Sequence, residues 1–187
     1  MIGAIFQYLW EEAKPRFLMI VRSSDFILSI LLAVAVGVWG QKLGFADARI
    51  VDVTTALLTY SAIAFGFCLS GLTLALVLPD TDFARHLAGS HVRQDLPSAY
   101  SNLMFIFSWA ALIHWLDIVA AIAIFAYSGS DQKVLPLHAS YLHHAAIGFL
   151  IFLSVYAMCR FLVALITLSQ VGRLYIARLA TTTTKPA

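Results

Sequence analysis

Residues 53–79 contain no charged side chain, and that stretch limits the chain more than any motif does. The hydrocarbon layer of a bilayer is about 30 Å thick and takes about 20 apolar residues of helix to cross, so a run of this length predicts a membrane span. Three more windows read the same way. They are 26–46, with Lys42 near one end where its stem can reach the interface; 99–127, interrupted by His114 and Asp117; and 140–170, interrupted by His143, His144 and Arg160. Backbone groups in lipid must find their partners inside a helix or a closed barrel, and these windows are too long and too uniformly apolar for barrel strands. The expected fold is an all-α membrane protein with a four-helix transmembrane domain over 25–171.

Composition supports this class. Hydrophobic residues make up 61% of the chain and charged residues 12%, where soluble domains carry about 25% charge; the mean hydropathy is +0.86. A net charge of +2, with no basic run and no cationic patch interleaved with aromatics, excludes nucleic acid as a partner. Cys68 and Cys159 both lie in apolar stretches and form no CxxC pair, so they read as small hydrophobes rather than redox groups.

Lysine and arginine placement sets the expected orientation. Lys14, Arg16, Arg22, Arg85, Arg93, Arg173, Arg178 and Lys185 fall on one side, Lys42, Arg49 and Lys133 on the other, and Arg160 within a span. Both termini are expected in the cytoplasm. Residues 1–24 place Ile2, Phe6, Leu9, Trp10, Ala13, Phe17 and Ile20 on one helical face, the pattern of an amphipathic helix lying in the interface and bent at Pro15. Glu11, Glu12 and Pro15 argue against a cleaved secretory signal. Ser98, just after Pro97, is placed to cap the third span. Residues 172–187 read as a cytoplasmic tail, with "TTTTKPA" disordered.

Two features of the spans carry chemistry. In the second, Thr55, Thr59, Ala62, Gly66, Ser70 and Thr73 recur by threes and fours along one helical face. Small residues so spaced allow close helix packing, and their hydroxyls could equally line a path for ions. In the third, His114 and Asp117 stand on one face with Ala110 and Ala121, while in the fourth Arg160 shares a face with Tyr156, Ala164 and Thr167. Asp117 is roughly 15 Å below the outer end of its span and Arg160 roughly 23 Å below the apolar outer end of its own near Ala145, an offset a long arginine side chain can close. A charge in mid-bilayer costs about 2.5–3.5 kcal/mol even on lenient scales, so these groups should face each other, a cavity or a neighbouring subunit. His114, Asp117, Tyr156 and Arg160 are therefore candidates either for an ion pair that fixes helix register or for a proton or ion pathway.

Haem fits poorly. Axial histidines must come from different helices at one depth, whereas His138, His143 and His144 cluster at one end of the fourth span and His114 sits mid-span. No metal motif, phosphate-cradling glycine loop or nucleophile elbow occurs, so no cofactor, metal or catalytic residue is expected. Two functional readings follow. One is a homo-oligomeric ion or proton channel or transport component; the other is a non-catalytic accessory or assembly subunit docking on a partner membrane complex.

Overall fold

Ser24 and Asp25 open the first long helix, where an acidic residue in the first turn is matched to the positive end of the helix dipole. The structure, a computed structural model, describes residues 7, 14, 16–39, 48–76, 87, 89, 98–128, 133–134 and 141–183. They form α1 (Phe17–Val21), α2 (Ser24–Trp39), α3 (Ile50–Leu76), α4 (Ala99–Ser128) and α5 (Tyr141–Thr183). Strands are absent among the described residues, apart from one isolated antiparallel bridge between Arg49 and Lys133.

Three helices, α3, α4 and α5, are long and apolar enough to cross a membrane. The protein is accordingly a helical membrane protein. Of the first expected span the described residues form α2, 16 residues or about 24 Å, and residues 40–46 lie outside the described residues. Most of the expected interfacial helix does too. Of its apolar face, Ile20 is buried and Phe17 exposed.

The spans otherwise begin and end near their expected limits, with one clear difference. Ser98 caps α4 as its position predicts, its Oγ accepting the backbone N–H of Ser101 at 3.2 Å. The last helix, however, does not stop near Gln170. It has 43 residues, about 65 Å, and runs through Thr183 into the segment expected to be a disordered tail. Leu, Ala and Arg dominate "VGRLYIARLA", and no proline occurs between Pro136 and Pro186, so nothing in the chain stops the helix there.

Ile27, Leu31, Val34, Ile63, Leu74, Ile122, Phe149 and Leu162 are exposed, while His114, Asp117, Ser29, Thr54 and Ser61 are buried alongside apolar residues such as Phe107 and Leu150. An apolar exterior suits a hydrocarbon solvent.

The helices divide into two compact units, Met1–Ala62 with Ile113–Met158, and Ile63–Leu112 with Cys159–Ala187. In the first, Ile50, Val134 and Ile147 form an apolar cluster. Beside it Val134 N–H donates to the Ala48 carbonyl at 2.9 Å, and His143 Nε2 stands 2.9 Å from the Val134 carbonyl. Facing a carbonyl, that nitrogen must be the donor. Phe26 of α2 meets Phe152 and Tyr156 of α5 edge-on at 5.4 and 5.6 Å between centroids. In the second unit, Cys68, Ala75, Leu103, Phe107, Ala110, Ala111 and Ala164 form the core. Gly71 is required there, because a Cβ at that position would land on the Phe107 ring.

Candidate functional site

Asp117 is the only carboxylate among the described residues that is wholly buried, and it lies within the first unit. The inward face of α4 carries it, one turn from His114. Two other helices supply its neighbours. Ser61 of α3 donates to Asp117 Oδ2 at 2.6 Å, and the Ser154 hydroxyl of α5 lies 2.7 Å from Asp117 Oδ1. Ser61 Oγ also stands 3.5 Å from His114 Nδ1, the long limit of a hydrogen bond. The Tyr60 ring meets the imidazole edge-on at 5.7 Å. His114, Asp117 and Ser61 are each 0% exposed, so α3, α4 and α5 are joined through one carboxyl group away from solvent.

The order of groups decides what the cluster can do chemically. In a hydrolytic triad the imidazole stands between hydroxyl and carboxylate and strips the hydroxyl of its proton. Here the hydroxyl stands between imidazole and carboxyl. Ser61 thus bridges the imidazole and the carboxyl, an order different from that of the triad. A hydroxyl in this place accepts on one side and donates on the other, which is the arrangement of a proton relay.

The remaining expected site residues fall as follows. Tyr156 is buried in the first unit, stacked on Phe152 at 6.1 Å between centroids. Arg160 belongs to the second unit and is half-buried there. The stripe on α3 faces outward: Thr55, Thr59, Ala62, Gly66, Ser70 and Thr73 are all exposed. Its hydroxyls are satisfied within the helix, with Thr59 donating to the Thr55 carbonyl, Ser70 to Gly66 and Thr73 to Leu69, each at 2.9 Å. The face of α3 that packs inward carries Thr54, Ser61, Ala64, Cys68 and Ala75 instead.

Sequence reasoning missed Ser61, Ser154 and His143. A serine in a membrane helix most often bonds to the carbonyl one turn before it, and nothing local marks the one that reaches another helix. His143, at one end of the fourth expected span, is buried against the Val134 carbonyl, and the His144 ring is edge-on to it at 6.3 Å. Among the described residues no three His, Cys, Asp or Glu side chains gather closely enough to hold a metal ion. Comparison with known proteins found no family model, no curated protein and no solved structure that matches this chain.

Proposed function

We propose that the chain is a small polytopic membrane protein that moves protons as a channel or transport component, with the Ser61-bridged pair of His114 and Asp117 as its proton-binding station. One observation carries this reading. An imidazole and a carboxyl, both wholly buried, flank a single hydroxyl. Intramembrane ionisable groups are costly and mark proton and ion paths. Transfer through Ser61 needs only a short approach of His114 to the hydroxyl, since the contact to Asp117 is already 2.6 Å. The outward stripe on α3 is the surface through which copies of the chain would meet in a homo-oligomer, because small exposed residues let helices approach closely.

The same stripe favours the second reading, an accessory subunit docked on another membrane complex. The mass of the detergent-solubilised particle separates the two: a closed homo-oligomer supports the first, and a single chain copurifying with a foreign subunit supports the second.

Flux into liposomes holding the pure protein tests the function itself. Wild type should dissipate a proton gradient but not a sodium or potassium gradient, and Asp117→Asn should slow it about tenfold or more, a barrier rise of about 1.4 kcal/mol. Wild-type liposomes no leakier to protons than empty ones would overturn the proposal.

A further inference from the structure

Ser154 has one hydroxyl hydrogen and two acceptors in range. Its Oγ is 2.7 Å from Asp117 Oδ1 and 2.8 Å from the Leu150 carbonyl oxygen, both at the usual length of an O–H···O hydrogen bond. One hydrogen shared between two acceptors makes only a weaker three-centre bond. Two full hydrogen bonds at these lengths need a second hydrogen between Ser154 and one of these oxygens, and a carbonyl has none to give. Asp117 is the group that can carry it.

We infer that Asp117 holds a proton on Oδ1 and is a neutral carboxylic acid that donates to Ser154. Every contact in the cluster then has its hydrogen. His114 Nδ1–H points to Ser61 Oγ; Ser61 donates to Oδ2, the carbonyl oxygen of the acid; Oδ1–H donates to Ser154 Oγ; Ser154 donates to the Leu150 carbonyl. The last bond is the one that Thr54, Thr59, Ser70, Thr73 and Thr167 also make, each to the carbonyl four residues earlier. Ser154 therefore keeps the usual bond of a helical hydroxyl and offers its lone pair to the acid. The result is a chain of donors running one way across α4, α3 and α5. The chain ends at the Leu150 carbonyl, which only accepts, so the part of it able to pass a proton is the His114–Ser61–Asp117 segment.

Oxygens around an ion of calcium's size stand about 2.3–2.6 Å from it, which holds neighbouring ligand oxygens in an octahedral shell about 3.3–3.7 Å apart. The oxygen pairs at Asp117 are 2.6 and 2.7 Å apart, the length of O–H···O hydrogen bonds.

The assignment rests on reading the cluster as a proton site, but its test does not depend on transport. Infrared spectra of the full chain in lipid vesicles at neutral pH, with carboxyl-labelled aspartate to mark the aspartate bands by their isotope shift, should show a protonated-acid C=O stretch. That band should be lost in Asp117→Asn. It should move in Ser154→Ala and Ser61→Ala, which remove its two neighbours in turn and cover the case in which the Asn variant fails to fold. Labelled wild type with carboxylate bands alone, or with an acid band that ignores both serine changes, would overturn the inference. An acid band in vesicles that pass no protons would support the assignment and count only against the transport reading.

Discussion

Ser154→Ala removes one hydroxyl, and its cost can be worked from the cluster. The side chain is 5% exposed and lies 2.7 Å from Asp117 Oδ1, so solvent does not stand in for it. A buried polar atom left unmatched costs about 1–3 kcal/mol, and interhelical hydrogen bonds in membrane bundles average about 0.6 and reach about 1.7 kcal/mol. The overlap of these ranges places the loss near 1.5 kcal/mol. The same change in an Asp117→Leu background should behave differently. Leucine removes the whole carboxyl group, so deleting the Ser154 hydroxyl in that variant leaves no buried acid unmatched, and the Leu150 carbonyl keeps its place in the backbone ladder of α5. The cost there should fall below about 0.5 kcal/mol, a coupling of about 1 kcal/mol between the two positions. Reversible unfolding of the purified chain in mixed micelles, followed by the fluorescence of Trp109 and Trp115 on α4, measures all four corners of this cycle. Equal costs in both backgrounds would show that Ser154 contributes through its own helix alone and would refute the reasoning.

Three further outcomes follow from the packing. Gly71→Ala drives a methyl group into the Phe107 ring and should cost about 1–3 kcal/mol in the same unfolding assay, with most of it recovered in the Gly71→Ala/Phe107→Leu double variant. Thr59→Leu combined with Ser70→Leu alters exposed positions whose hydroxyls bond only their own helix, so stability should change by less than about 0.5 kcal/mol. The detergent-solubilised mass of that variant should nevertheless drop; an unchanged mass would remove the α3 stripe as a contact between copies. His143→Phe deletes the donor to the Val134 carbonyl and should cost about 1 kcal/mol, with faster hydrogen exchange at the Val134 amide as the local readout.

The helical class and three long apolar helices were legible in the sequence, because lipid imposes length and apolarity on every crossing helix. Which face of a span turns inward was not. On α3 two faces carry small residues, one through Thr55, Thr59, Ala62 and Gly66 and the other through Thr54, Ser61, Ala64 and Cys68. Hydrophobic periodicity separates inside from outside only against water, and here the outside is apolar as well. The face holding the more regular stripe proved to be the outward one. On α4 the answer was available, since His114 and Asp117 cannot face hydrocarbon without cost and both are buried. Their partners were hidden because Ser61 and Ser154 lie 56 and 37 residues from Asp117 along the chain, and a serine carries no periodic signal. The reach of α5 to Thr183 was obscured for a different reason: polarity rises after Gln170 while helix propensity does not fall.

Ser61 separates a relay from a fastener most directly, because it bridges His114 and Asp117 and ionises itself in neither role. Proton flux should be measured in liposomes holding wild type or Ser61→Ala at equal copy number, with the solubilised mass and helix content of the variant first matched to wild type. The account predicts that wild type conducts protons and that Ser61→Ala loses about tenfold or more of that rate, a barrier rise of about 1.4 kcal/mol. A Ser61→Ala protein that folds, assembles and conducts protons as fast as wild type would contradict it.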